Sequence, residues 1–534
     1  MATPSRGRSG QGPRRRALDR ADDGAARLEP LIKRLVLAWR KHRDRDPIVP
    51  SPALVRSLAP QFRRPLPWKA EPPRRVAADL EALLSLSRHN DNPRFWGYVN
   101  PPGLAAAALG DWLASSLNQN LTAFRSAPGA ALVEMQVVGW IREMVGLPRS
   151  AGGLLTSGGS IANLAGLGAA RDAAVGFDLA RRGLRGEPGP PLVLYASEEV
   201  HHAVLKAASI LGIGRDFVRL VPVDRRLRLD IGALRDAVRR DRRARLQPCA
   251  VVASAGTVTT GTVDPLRDVW RLCRRERLWM HVDACYGGFA VLAPSGRPLL
   301  RGLSLADSIA LDPHKWLYLP VDAGCVLYRR PEAARRAFRQ EADYTRLFGA
   351  GRLEQTAFWD YGPELSRRFR ALKIWLALKH HGAEAFSRSI EEDLQLARTL
   401  ADKVRATRGL ELLSRGDLGI VCFRYVPPGP RRPETELTRL NEAVLVAVQR
   451  RGRAFVSNAL VRGRFALRAC LVNYRTTGAD LEILLREVLA AGDDAVRRPD
   501  PAVVTPPTRP ARGRASTGRR RSRPRSRSSA DRRR

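Results

Sequence analysis

The sequence predicts an α/β fold: a large domain on a mostly parallel sheet flanked by helices, followed by a smaller α+β domain. Three observations carry this. Apolar runs of strand length, such as Leu192-Val193-Leu194-Tyr195 and Ala250-Val251-Val252-Ala253, alternate with helical stretches, as expected for parallel strands buried between helix layers. Several of these runs end on Gly, Ser, Asp, His or Lys, and open α/β sheets place their ligands at strand C-terminal ends. Past about residue 380 the character changes. An amphipathic helix on Ile390, Leu394, Ala397 and Ala401, a strand-like run at 420–425 and a helical stretch near 480–485 read as a separate α+β unit.

In chain order, residues 1–25 read as a disordered basic N-terminus and 26–105 as an N-terminal helical segment. Residues 106–380 form the large domain, 381–494 the small C-terminal α+β domain, and 495–534 a disordered Arg-rich tail. At 534 residues the chain is long enough for two cores. The tail carries twelve arginines after Pro501 against one aspartate, and the whole chain has a formal net charge of +39. Such a tail binds polyanions in a salt-dependent way, so a nucleic-acid or other polyanion-binding role stands as an alternative function. Against it, the tail has no aromatic residues for base stacking, and arginine is enriched throughout the chain.

The six cysteines show no CxxC or metal-ligand spacing and the eight histidines no HExxH pair. They read as reduced thiols and ordinary imidazoles, with no metal expected. No apolar run approaches the ~18 residues of a membrane span, and no signal-peptide core follows the basic start. The expectation is a cytoplasmic protein without a membrane partner.

Four strand-end segments carry the chemistry. Asp312-Pro313-His314-Lys315-Trp316 follows the apolar run Ser308–Leu311 and presents a lysine able to form a Schiff base with an aldehyde; alone it would read as a solvated loop lysine. Gly153–Leu164 passes from an apolar run through Ser157-Gly158-Gly159-Ser160 into a helix. Unpaired N–H groups at a helix N-terminus favour an anion such as phosphate, although such a turn alone is also a common structural connection. Trp279–Asp283 is a largely apolar strand ending on an acid. That carboxylate can keep a heteroaromatic nitrogen protonated, or else caps the next turn. Tyr195–Ala208 brings His201 and His202 to the same edge, and an imidazole is flat enough to stack on a flat cofactor as well as to pack or face solvent.

Together these segments resemble the group II pyridoxal-phosphate-dependent amino-acid decarboxylases, the aromatic-L-amino-acid and glutamate decarboxylase-like family. The resemblance runs from about Asn92 to Leu489 and includes Asn92–Tyr98, Ser254-Ala255-Gly256-Thr257 with Asp264-Pro265, Arg367–Lys373 and Leu467–Asn473. It implies a fold type I transferase architecture, with a seven-stranded sheet in the large domain, and pyridoxal 5′-phosphate (PLP) as cofactor. It implies that Lys315 carries the cofactor aldimine, Asp283 pairs with the ring nitrogen and His201, rather than His202, stacks on the ring. Gly159 and Ser160 would hold phosphate, with Ser254, Asp312 and His314 near the phosphate and the lysine. Cys285 stands where alanine is usual, under the ring. Tyr344 matches a loop tyrosine that protonates Cα in the family, which favours amine over aldehyde as product.

The implied activity is decarboxylation of an L-amino acid, a small-molecule substrate, through a quinonoid to the amine and CO₂, by a homodimer as is usual for the family. An aromatic substrate is favoured, although Tyr98–Pro101 and Asn118–Phe124 offer fewer rings and more amides than a dedicated aromatic pocket. An acidic or small polar substrate, aldehyde formation and transamination on the same fold are the alternatives.

Overall fold

The computed structural model describes residues 33–34, 36–40, 43, 46–184, 189–339, 351 and 353–498. Its twelve named strands, in chain order, are β1 (Phe95–Trp96), β2 (Gly152–Thr156), β3 (Leu192–Ser197), β4 (Val218–Val221), β5 (Gln247–Ser254) and β6 (Trp279–Asp283), then β7 (Ser308–Leu311), β8 (Gly324–Tyr328), β9 (Leu410–Ser414), β10 (Ile420–Tyr425), β11 (Phe455–Val461) and β12 (Arg464–Cys470). They form two sheets.

The larger sheet has seven strands in the order β2-β8-β7-β6-β5-β3-β4. Pairing is parallel from β7 through β6, β5 and β3 to β4, while β8 runs antiparallel to both β2 and β7. The expected mostly parallel α/β sheet is therefore present. Strands β3, β6, β7 and β8 are buried at every residue, which is why their sequences are apolar runs without alternation. The helix Gly159–Ala174 packs on β6, β7 and β8. Beside Asn163 and Leu167, its buried residues are Ala162, Ala165, Gly166, Gly168, Ala169 and Ala170, small residues that let the helix lie close to the sheet.

The second sheet has five strands in the order β1-β11-β12-β10-β9, with its own core of Trp96, Phe423, Val456 and Leu467 under helices Glu434–Arg451 and Gly478–Arg497. Within the stretch read as an N-terminal helical segment, Phe95 and Trp96 form an edge strand parallel to β11. Phe95 stacks on Phe455, ring centroids 5.0 Å apart, and the Trp96 indole donates to Thr476 Oγ1 at 3.0 Å. These tertiary contacts outweigh the local helical setting. The long helix Ala371–Ala406 spans both parts and is interrupted at Gly382, φ 74°, beside the boundary expected at 380/381. Among the described residues no helix is long and apolar enough to cross a membrane.

Two buried polar clusters hold the edge where the site forms. Behind β2, Glu134 pairs with Arg367 and accepts from Leu155 N, while the same guanidinium donates to the carbonyls of Leu155 (2.8 Å) and Leu121 (3.0 Å). Breaking such a pair strands a buried charge, a loss of about 3–5 kcal/mol, so the end of β2 is rigidly placed. Asp393, on the long helix, accepts from Trp316 Nε1 (3.0 Å), Tyr318 Oη (2.7 Å) and Asn473 N (3.2 Å). It ties the turn that carries Lys315 to the C-terminal region.

Candidate active site

The C-terminal ends of β2, β5, β6 and β7 and the start of the helix after β3 meet around a cavity of about 790 Å³. Lys315, Asp283, His201, Gly159, Ser160, Ser254, Asp312, His314 and Cys285 all line it, so nine of the ten residues singled out in the sequence are brought together. The tenth, Tyr344, lies outside the described residues. His201 and His202 are both exposed, and of the two only His201 lines the cavity.

Lys315 sits in the one-turn helix Pro313–Trp316 directly after β7. Its Nζ is 2.9 Å from Asp312 Oδ2, three residues back. Burial alone would lower the lysine pKa, but the facing Asp312 carboxylate outweighs it, with Asp283 adding to the effect, and the group lies above its ordinary value. Free Lys315 is thus an ammonium, and Asp312 Oδ2 accepts a hydrogen bond from it. The indole of the next residue, Trp316, stacks on Tyr286 at 5.1 Å and 6°, which fixes the turn from below.

Asp283 ends β6, 8 % exposed. Its Oδ1 accepts from Cys285 N at 3.1 Å and its Oδ2 from Asn163 Nδ2 at 3.2 Å. Burial, then the carboxylates of Asp283 and Asp312, push the Cys285 thiol well up, so it stays protonated. His201 is the N-cap of the helix His202–Ile210, its Nδ1 accepting from Ala203 N at 3.2 Å. That bond leaves the proton of a neutral ring on Nε2. Burial lowers the His201 pKa, partly offset by Asp283, so the imidazole is neutral near pH 7. His314 is held through Nδ1 to Ala323 O at 2.7 Å. Ser254 N donates to Asp264 Oδ2 at 2.7 Å; Asp264 also accepts from Leu229 N, and burial pushes its carboxyl up to about 6.

The Gly-Ser turn is a cradle that only glycine leaves open. Gly158 has φ 146°, and a Cβ on Gly159 would lie 2.5 Å from Cys285 Sγ and 2.7 Å from Asp312 Oδ2. The helix Gly159–Ala174 that starts here has no side-chain cap. Ile161 N and Ala162 N donate to Gly158 O, which leaves the N–H groups of Gly159 and Ser160 to face an anion.

An amine beside a buried carboxylate, a second carboxylate at a strand end, an anion cradle and a flat neutral ring are the parts that an aldehyde-bearing phosphorylated heteroaromatic requires. Residues 56–426 match the pyridoxal-dependent decarboxylase conserved domain. The chain belongs to that family. This decarboxylase is 34% identical over 406 residues to an aromatic-L-amino-acid decarboxylase of Bacillus atrophaeus, covering 76% of this chain and 82% of the relative. It is 31% identical over 439 residues to a human cysteine sulfinic acid decarboxylase, 80% and 87% of the two chains. Its fold matches an Oryza sativa TDC solved with PLP and tryptamine, with TM-score 0.81, 26% identity, and coverage of 91% of this chain and 99% of that one. The protein is a PLP-dependent amino-acid decarboxylase, a lyase of the fold type I architecture.

The residues of the decarboxylase fit PLP. The Gly158–Gly159 cradle can hold the phosphate, Lys315 Nζ can condense with the aldehyde, Asp283 can face the ring nitrogen and His201 can cover a ring face. The sequence reading gave no role to Asn163 or Arg468, and placed Tyr98 only within a pocket-lining segment. Asn163 is a buried polar residue on the small-residue face of the helix Gly159–Ala174, one turn beyond Gly159, whose carbonyl it also binds at 2.8 Å; its position on that face was the available signal. Tyr98 and Arg468 meet across 370 residues, Arg468 Nη1 donating to Tyr98 O at 3.0 Å, and only the five-stranded sheet brings them together.

Proposed function

We propose that the enzyme removes the α-carboxylate of an L-amino acid with an apolar, preferably aromatic, side chain, releasing CO₂ and placing a proton at Cα to give the amine. The observation that carries the substrate preference is the cavity wall. Away from the lysine it presents Tyr98, Val99, Val258, Val321 and Leu460. Of the two cations that line it, Lys315 pairs with Asp312, while Arg468 donates to Val258 O (2.9 Å), Tyr98 O and Ser457 Oγ and keeps a buried Nη2 with no hydrogen-bond partner. An aromatic side chain finds apolar surface along this wall, worth about 25 cal/mol per Å² buried.

Bound PLP supplies an electron-withdrawing ring that stabilises the negative charge left at Cα when CO₂ departs. The chain's own residues do the rest. Asp312 Oδ2, the ion-pair partner of Lys315 Nζ, would hold that nitrogen in place toward the cofactor aldehyde. Asp283 would face the ring nitrogen and keep it protonated. The cradle anchors the phosphate, and the neutral His201 ring, fixed by its backbone bond, holds the cofactor plane. Tyr344 returns the proton to Cα. The apolar wall excludes water from the carboxylate as it leaves.

The enzyme works as a homodimer. Leu109, Trp112, Leu113 and Leu117 are exposed along one face of the helix Ala105–Leu117, a patch that a second copy covers. Six buried free thiols suit a reducing, cytoplasmic setting. The test is a panel of L-amino acids given to the PLP-loaded enzyme, with amine and CO₂ followed by mass spectrometry. Aromatic substrates are expected to give the highest kcat/KM. A cysteine sulfinate or glutamate preference overturns the substrate reading, and PLP binding without CO₂ from any substrate overturns the reaction.

A further inference from the structure

Behind Asp283 runs a buried chain of polar side chains that ends on its carboxylate. Trp279 Nε1 donates to Ser308 Oγ at 2.8 Å, Ser308 Oγ lies 2.7 Å from His281 Nδ1, and His281 Nε2 lies 2.8 Å from Asn163 Oδ1. Asn163 Nδ2 then reaches Asp283 Oδ2 at 3.2 Å. The two ends fix the direction of every link. An indole N–H only donates and a carboxylate only accepts, so Ser308 donates to Nδ1, His281 donates from Nε2, and the Asn163 amide turns its NH₂ toward Asp283. All four bonds point the same way, and bonds in series polarise one another in a low-dielectric interior.

The chain is built rather than incidental. Asn163, His281 and Ser308 are at most 1 % exposed. Burial, offset in part by Asp283, pushes the His281 pKa down to about 4, consistent with one proton on the ring. Gly166, one turn along the helix from Asn163, makes room for it: a Cβ there would lie 2.5 Å from His281 Cε1, 2.6 Å from Nδ1 and 3.2 Å from Ser308 Oγ.

We propose that Trp279, Ser308, His281 and Asn163 act as positioning residues, a one-way hydrogen-bond relay that orients the Asp283 carboxylate and stabilises its negative charge, so that it holds the ring nitrogen of PLP protonated. This rests on the reading that Asp283 faces that nitrogen. Of the four, only Asn163 reaches the cavity.

The experiment compares His281→Leu, which breaks the relay, with His281→Gln, whose amide can accept from Ser308 and donate to Asn163. Ser308→Ala interrupts it further from the site, and Asp283→Asn is the control. Each variant is reconstituted with PLP labelled with ¹⁵N in the ring, and three quantities are read: the ¹⁵N resonance, the PLP dissociation constant and the melting temperature. In His281→Leu and Ser308→Ala the resonance moves from the pyridinium toward the neutral-pyridine position. The dissociation constant rises roughly 10-fold or more in His281→Leu, the scale of one hydrogen bond to a charged acceptor, while His281→Gln restores both. If Asp283→Asn shifts the resonance but neither Ser308→Ala nor a folded His281→Leu does, the relay is overturned and the role of Asp283 stands. If Asp283→Asn leaves the resonance unmoved, Asp283 does not face the nitrogen and both readings fall. Loss of melting temperature in His281→Leu and His281→Gln alike, with the Ser308→Ala resonance unmoved, assigns the cluster to packing and also overturns the relay.

Discussion

Replacing Gly159 by alanine adds one methyl group at the tightest point of the cradle. The new Cβ would lie 2.5 Å from Cys285 Sγ and 2.7 Å from Asp312 Oδ2, about 1 Å inside the ordinary contact distance of roughly 3.5–4.0 Å. Both neighbours must yield. Asp312 Oδ2 is the partner of Lys315 Nζ at 2.9 Å, so its displacement loosens the one ion pair that sets the reactive amine. Overpacking of this kind costs about 1–3 kcal/mol. Without cofactor the two side chains can swing into the cavity; with PLP bound that space is filled, so the cost falls on the loaded state. At about 1.4 kcal/mol per decade, the PLP dissociation constant rises between about 5- and 150-fold. The assay is a PLP titration followed in the visible band of the lysine-bound cofactor, with melting of the cofactor-free protein alongside. Gly159→Ala combined with Cys285→Ala removes the nearer clash and recovers part of the loss. Wild-type PLP affinity in Gly159→Ala would refute the assignment of this turn as the phosphate cradle.

Three other outcomes are expected. Lys315→Ala eliminates the visible Schiff-base band and turnover, measured by absorbance and amine release; retained activity removes Lys315 from the mechanism. Asp393→Asn changes the pH dependence of stability. Burial pushes the Asp393 carboxyl up to about 7, opposed by its bonds from Tyr318 and Trp316, so between roughly pH 4 and 7 the folded state holds a proton that the unfolded chain has lost. Its contribution is full below pH 4 and is lost as pH rises toward 7, by about 1.4 kcal/mol per unit for one proton. Asn at 393 removes that component, and parallel wild-type and variant melting curves from pH 5 to 8 contradict the reasoning. Tyr344→Phe shifts product from amine to aldehyde, read by mass spectrometry; an unchanged product ratio means that another group delivers the proton to Cα.

What the sequence made legible were the groups that sit at strand ends. Asp283 and Lys315 each close a short apolar run, and in a parallel sheet all such ends open on one edge, so chain order alone nearly determines that they meet. The relay behind Asp283 was not legible, because it depends on which strands are neighbours. His281 faces Ser308 through the β6–β7 register, and Asn163 joins them from a helix laid across the same strands. None of these is unusual as a residue; each matters through a partner more than 25 positions away. The strand at Phe95–Trp96 was hidden for the same reason, since its two residues form a strand only beside Phe455 and Val456.

That pairing has a consequence for the order in which the enzyme is made. Strands β2 to β8, with the cradle, Asp283 and Lys315, lie between residues 152 and 328, so the strands of the cofactor half are made before Arg367 and Asp393, which fix their edge. The wall at Tyr98 depends on still later residues. Its neighbour Trp96 pairs with Val456, and its own carbonyl is held by Arg468, some 360 residues later in the chain. Since domains fold from the N-terminus during synthesis, residues 95–98 wait unpaired through most of translation. The part of the substrate wall at Tyr98 and Leu460 is completed only after the strands that carry the cradle, Asp283 and Lys315 have been made.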